Sequence, residues 1–294
     1  MSIGILYESV EWSNRRLCEL LNRGGVEAEL INLEAGSVEL EGILRHGLIL
    51  NRLFPSAPYR GYEKAVKQAE RVLQVVHGRQ IPMINSFEAY GYECSKQRAG
   101  EALGRAGVAA PKIYAYFLGS EKPDLTTLKY PCVLKPDCGG RSLYVAILHN
   151  DNELKGALNE IPEQPFVLQE YIEPVKGYTT RVEIVGNGVM SILKRYVAKN
   201  AISSYHAGSV FEAYPNCPEE IIQGSFKALR AVDIEMGSLD IIESEGDEFF
   251  VIDTNATSNF SADNVAMLGY DPIQVMVDHI ISQYHKMLAD CGSS

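Results

Sequence analysis

The sequence predicts a mixed α/β (α+β) chain, with a small N-terminal parallel α/β domain followed by two β-rich subdomains. Three observations lead there. Short apolar runs alternate with helix-periodic stretches over the first ninety residues, the pattern of strands joined by crossover helices. Further along, β-branched and aromatic runs are joined by tight turns such as Gly186-Asn187-Gly188, a strong hairpin signal. The chain has 294 residues, enough for a core divided over two or three domains. The expected divisions are 1–91, 92–172 and 173–294.

Taken in order, Ile3 to Tyr7 is a short apolar strand. Ser13 to Arg23 is a helix closed by Gly24-Gly25, suitable C-cap chemistry. Glu27 to Leu33 alternates like a strand, and Gly47 to Asn51 is another. A long helix runs from Gly61 to His77, and Ile81 to Asn85 is a further strand. Tyr92 to Ala106 reads as one helix ended by Gly107, and Pro111 to Phe117 as a strand. Tyr130 to Lys135 and Leu143 to Leu148 form a hairpin around a Gly-rich turn. Asn152 to Asn159 is helical, and Phe166 to Ile172 is a strand. Arg181 to Val185 pairs with Val189 to Tyr196. Lys199 to Ser209 reads as a mobile loop over a site. The Pro218 to Val232 helix precedes a last hairpin, and Pro272 to Leu288 is a closing amphipathic helix.

Bulk properties exclude several classes. A formal net charge of -11 argues against a general nucleic-acid or membrane-surface binder. The six cysteines are scattered with no C-x-x-C pair, which disfavours a disulfide framework or zinc site and fits a reducing cytoplasm. The first residues lack a basic and then apolar leader, and no run is long and apolar enough for a membrane span.

The chemistry concentrates in Gly237 to Asn255, where SLDII and FFVIDTN flank a polar turn. Hairpin counting about Gly246-Asp247 sets Asp240 opposite Asp253, and Asn255 shares the face of Asp253 because side chains repeat every second residue. Carboxylates held together repel unless something positive lies between them. Hard oxygen ligands on a rigid scaffold suit Mg2+, which usually also holds waters and substrate phosphates. That set points to ATP chemistry. Upstream, Lys135 ends a strand just before Gly139-Gly140-Arg141-Ser142.

In order, Lys96, Lys135, the Gly-rich loop, the QEYI segment, Arg181, Arg195, Asp240 and D-x-N resemble the ATP-grasp superfamily, most closely its RimK-type amino-acid ligases, including the carrier-protein ligases of lysine and arginine biosynthesis. The resemblance runs from Pro82 to the final helix. It implies an ATP-grasp fold whose two β-rich subdomains clasp ATP. Lys96 and Lys135 would then touch the α- and β-phosphates, and the Gly139, Gly140, Arg141 and Ser142 loop would cover the β- and γ-phosphates. Gln169, Glu170, Tyr171 and Ile172 would form the adenine hinge, with Glu170 accepting from the exocyclic amine. Asp240, Asp253 and Asn255 would hold Mg2+, with Mn2+ as the alternative ion. Arg195 would steady an acyl-phosphate intermediate, with Arg141 beside it in the catalytic set. Arg181, Asn259 and Phe260 fall where substrate is contacted.

The chain departs from the family pattern in places. Asp253 replaces the usual Glu, one methylene shorter, which leaves one or two metal ions open. Thr179 stands where an acidic ribose ligand is usual, with Glu173 as a substitute. Ser204 and Ala207 replace an Asn and an Arg, and Ser95 replaces an Asp. The resemblance implies a ligase joining a carboxylate to an amine in a peptide or isopeptide bond, with ADP and phosphate released. A small-molecule acceptor is favoured over an acidic carrier protein, given the net charge. An ATP-grasp phosphotransferase, a non-peptide ligase and a non-catalytic ATP-binding module are the alternatives. Relatives often form homodimers or homotetramers. Each residue also has a bland reading: Lys96 as a solvated helix start, Arg195 as half of a surface ion pair, His206 as a surface histidine.

Overall fold

The structure, a computed structural model, describes residues 1–36, 38–140, 142–196 and 211–292. Arg141, and the segment holding Ser204, His206 and Ala207, therefore lie outside the described residues.

Strands β1 (Ile3–Tyr7), β2 (Ala28–Asn32), β3 (Leu48–Asn51) and β4 (Met83–Ile84) form a parallel sheet in the order β2-β1-β3-β4. Helices α1 (Trp12–Arg23), α2 (Leu40–Leu44) and α3 (Glu63–Gly78) supply its crossovers. β1 and β3 are almost wholly buried, as parallel strands covered on both faces must be.

The expected helix from Tyr92 to Ala106 is two helices, α4 (Phe87–Glu93) and α5 (Lys96–Arg105). The break is chemical. Ser95 takes an extended backbone and its side chain accepts from Arg98 N. Asp137 supplies two more acceptors, its carbonyl for Lys96 N (3.1 Å) and Oδ1 for Gln97 N (2.8 Å).

Strands β5 (Ile113–Leu118), β6 (Cys132–Pro136), β7 (Ala146–Leu148) and β8 (Pro165–Glu170) make an antiparallel sheet in the order β5-β8-β6-β7, with α6 (Asp151–Leu158) packed on it. β7 is shorter than expected because Tyr144 sits at φ 56°, which an extended strand cannot hold. The third sheet contains β9 (Tyr178–Val185), β10 (Gly188–Tyr196), β11 (Phe211–Ala213), β12 (Met236–Glu243) and β13 (Phe249–Asn255), ordered β11-β10-β9-β12-β13. Helix α7 (Glu219–Ala231) packs against it, and α8 (Ala262–Leu268) follows behind a Ser261–Asn264 capping box. The closing helix α9 (Pro272–Gly292) returns to the first sheet, where Ile273, Val277 and Ile280 pack with Leu17 and Leu21 of α1. Among the described residues no helix is long and apolar enough to cross a membrane.

Candidate active site

A cavity of about 660 Å³ lies between the second and third sheets and extends to the loops of the first. The β12–β13 pairing sets Asp240 directly across from Asp253, and Asn255 across from Ser238. A bulge follows, because Ile241 pairs with Val251 and Ile252 is the additional residue. Its carbonyl accepts from Lys135 Nζ at 3.2 Å, which anchors the end of β6 to β13.

The two aspartates differ in their surroundings. Asp240 is 8% exposed and takes Arg181 Nη1 at 3.3 Å from both carboxylate oxygens and Arg195 Nη1 at 3.3 Å. Burial alone would raise its pKa, but the two guanidiniums outweigh burial and hold the carboxyl below the usual range. Part of the positive charge expected between the carboxylates is thus supplied by arginine. Asp253 has no hydrogen bond or ion pair among the described residues. Among the described residues the buried Nδ2 of Asn255 has no hydrogen-bond partner, and its amide oxygen could be presented to an ion. This donor set fits a hard cation. Among the described residues no cluster of three or more His, Cys, Asp or Glu is poised for a metal. Two carboxylates and an amide suit Mg2+, which keeps water and phosphate oxygens in its shell.

Opposite them, Lys135 is buried, and burial first, with Lys96 second, pushes its pKa down to about 8. Lys96 opens α5 and its Nζ reaches Asp137 O at 3.5 Å. Gly139 and Gly140 line the cavity on the next loop. A Cβ on Gly140 would stand 3.1 Å from Ser56 Cβ, so the loop packs closely on the first sheet's connection. Ser142 also lines the cavity, at φ 59°. At the far end, Gln169, Glu170, Tyr171 and Ile172 form a wall. Glu170 Oε2 accepts from Lys112 N at 3.2 Å, so one carboxylate oxygen is already engaged. Thr179 is buried at the cavity, whereas Glu173 is exposed on the following connection.

A RimK-like ATP-grasp domain matches residues 108–279, more than half of the chain. The chain belongs to the RimK-like ATP-grasp family. A Photobacterium profundum protein described as "Probable alpha-L-glutamate ligase" is 24% identical over 264 residues, 83% of this chain and 84% of that one. A RimK domain ATP-grasp protein of Sphaerobacter thermophilus superposes with a TM-score of 0.71 at 15% identity, covering 95% of this chain and 99% of the other. The D-alanine–D-alanine ligase of Bacillus anthracis gives 0.71 at 17% identity, covering 99% of each. The chain is an ATP-grasp ligase of the kind that forms C–N bonds.

Within this RimK-like ligase, Arg181 lines the cavity but is already engaged. It donates to Glu183 Oε1 (2.7 Å) and Ser238 Oγ (2.5 Å) besides Asp240. Arg195 lies over the Phe211 ring at 5.5 Å. Asn259 is exposed and bridges to the start of α1, accepting from Ser13 Oγ (2.5 Å) and donating to Glu11 Oε2 (3.2 Å). Phe260 is mainly core, packed with α1 and α9, and touches the cavity wall.

Several lining residues carried no sequence signal. Glu93 ends α4, accepts from Ala256 N at 3.1 Å, and has its carboxyl pushed up to about 8 by burial. It became visible only once the helix broke at Ser95. Glu11, Trp12, Phe54 and Arg60 reach the cavity from the first sheet, whose loops contain no recognisable motif.

Proposed function

We propose that this RimK-like ligase joins a carboxylate to an amine through an acyl phosphate, consuming ATP. One observation carries the reading. Lys96, Lys135 and the Gly139–Gly140 loop share a single cavity with Asp240, Asp253 and Asn255. Two cations therefore face a hairpin on which Asp253 remains available to a metal.

The hinge would hold adenine, and the lysines with the loop N–H groups would hold the phosphates. Asp240, Asp253 and Asn255 would hold Mg2+, which when bound neutralises phosphate charge. A substrate carboxylate oxygen attacks the γ-phosphorus, the bond to the bridging oxygen breaks, and ADP departs. An amine nitrogen then attacks the acyl carbon, the carbon–oxygen bond to phosphate breaks, and the amine proton passes to solvent. The chain's own work is to position reactants and offset charge in a site closed by two sheets. Arg195, fixed against Asp240, would face the developing oxyanion. The names of the relatives make free amino acids the first substrates to test.

The test measures ADP release with Mg2+ against pooled carboxylates and amines, and weighs the products. Release that needs both partners, with a product lighter than their sum by one water, supports the ligase. A phosphorylated product that forms without any amine overturns it in favour of phosphotransfer.

A further inference from the structure

Two nucleophilic groups beside the Gly-rich loop have no part in the ligase chemistry, the thiols of Cys94 and Cys138. Cys94 is the C-cap of α4, two residues before Lys96, and Cys138 directly precedes Gly139-Gly140. Two ties cross between these backbones: Lys96 N donates to Asp137 O at 3.1 Å, and Gln97 N to Asp137 Oδ1 at 2.8 Å. The crossing brings the cysteine side chains together, and the two thiols share a hydrogen bond. Both residues are half-buried, so neither is sealed inside a core.

The two thiols are not equivalent. The Cys94 S–H, donated toward Cys138, holds the Cys138 thiol below its ordinary range, and the Lys96 ammonium adds to this against the opposing effect of burial. Cys94 is pushed the other way, first by the same hydrogen bond and then by burial. Cys138 is therefore the first of the pair to become a thiolate, and the thiolate is the nucleophile. Cys94 keeps its proton and serves as the resolving thiol. Cys138 also sits at a junction. In its thiol form Sγ donates to Pro55 O at 3.6 Å, and its carbonyl accepts from Tyr59 Oη at 3.0 Å. Both partners lie on the connection after β3, so the base of the Gly139-Gly140 loop is held between the α5 start and the first sheet.

We propose that Cys94 and Cys138 form a peroxide-responsive disulfide that weakens ATP binding by fastening the base of the Gly139-Gly140 loop. The Cys138 thiolate attacks one peroxide oxygen, the O–O bond breaks, and the departing hydroxide takes a proton to become water. Cys138 is left as a sulfenic acid. The Cys94 sulfur then attacks it, the S–O bond breaks, and a second water leaves. In sum, two thiols and one hydrogen peroxide give one disulfide and two waters. A dithiol restores both thiols by exchange and is itself oxidised to a disulfide. Where thiols are otherwise kept reduced, such disulfides are transient and sense oxidants. Joining the sulfurs takes the Cys138 S–H from Pro55 O and ties the loop base to the end of α4. A loop that closes over phosphates loses that closure when its base is fastened. The effect on ATP rests on the ligase reading, whereas formation of the disulfide does not.

The purified protein is treated with a small excess of hydrogen peroxide, alkylated, digested without reductant and mapped by mass spectrometry. The expected product is a linked Cys94–Cys138 peptide pair that dithiothreitol separates. Cys94→Ser should stop at the Cys138 sulfenic acid, which dimedone traps. Cys138 should react at least about tenfold faster than the half-buried Cys18, whose thiol burial pushes up. Calorimetric titration with ATP and Mg2+ should show affinity falling about tenfold on oxidation and recovering with dithiothreitol. In Cys138→Ser the affinity should not respond to peroxide. A linkage between other cysteines, a Cys138 no faster than Cys18, or an oxidised protein that binds ATP like the reduced one overturns the proposal. Failure of the reduced protein to bind ATP would sink the ATP-site reading and with it the effect on affinity, while the peptide map decides the disulfide by itself.

Discussion

Removing each aspartate in turn should separate structure from chemistry. Asp240 is buried between Arg181 and Arg195, each within 3.3 Å. Asp240→Ala leaves two buried guanidiniums short of their counter-charge, a change that costs about 3–5 kcal/mol. Arg181 keeps Glu183, which places the expected loss near the lower end of that range. For a chain of this size, about 2 °C of Tm per kcal/mol is expected, so Asp240→Ala should melt about 6 °C lower. Asp253→Ala removes a carboxylate that no hydrogen bond or ion pair holds among the described residues, and should stay within about 1 kcal/mol of the parent. The assay is thermal unfolding of the nucleotide-free protein, repeated with ATP and increasing Mg2+. The parent should gain about 2–3 kcal/mol once ligand exceeds Kd a hundredfold, and Asp253→Ala should lose the Mg2+-dependent part of that gain. Equal Tm losses in the two variants, or a full Mg2+ response in Asp253→Ala, would refute the division of labour.

Other expected outcomes follow from the same geometry. A Cβ on Gly237 would stand 2.2 Å from Asn255 O and 2.7 Å from Ile234 Cγ2, so Gly237→Ala should cost about 1–3 kcal/mol in urea unfolding and weaken Mg2+-dependent turnover by displacing Asn255. Ser95→Ala removes the α5 cap and should cost about 1 kcal/mol, with a several-fold loss of ATP affinity because Lys96 begins that helix. Lys135 faces Lys96, Asp253 and Asp137, with its pKa at about 8. Its cation prevails below that pH and fades above it, so ATP affinity at fixed free Mg2+ should fall about tenfold between about pH 7 and pH 9. Calorimetric titration checks this, and an unchanged slope in Lys135→Met would assign the dependence to another group.

Much of the candidate site's geometry was legible because it lies on strands, where a period of two ties spacing to facing. The Asp240–Asp253 pair is instructive. Counting from Gly246-Asp247 predicts it, yet the turn centres on Gly246, and that register alone would pair Asp240 with Ile252. The bulge inserts the missing residue, so two offsets cancel. A bulge leaves little trace in composition, and its purpose, aiming the Ile252 carbonyl at Lys135, depends on a strand more than a hundred residues away. The break before Lys96 was hidden for a related reason. Ser95 is a good cap residue, but a lone serine does not mark a break in a sequence, and the further acceptors at this helix start come from Asp137.

The first sheet's share of the cavity was the least legible part, and the cause is physical. Trp12 opens α1 and Arg60 ends a short 3-10 turn, forty-eight residues apart, and no single strand or helix period relates them. They converge because parallel strands deliver the following loops to one sheet edge, so β1 carries Glu8 to Trp12 and β3 carries Phe54 to Arg60 to the same end. The third sheet then binds that end from below. Arg52, fully buried, donates to Asn14 Oδ1 (3.1 Å) and to Ser258 O (2.7 Å), joining the α1 start to the segment after β13. Asn259 makes the second tie through Ser13 and Glu11. The segment after the Asp240–Asp253 hairpin and the first sheet's loops are therefore tied together by side-chain hydrogen bonds. Reactants in the cavity would be held between that hairpin and the first sheet's loops, and transfer between two bound molecules requires such positioning.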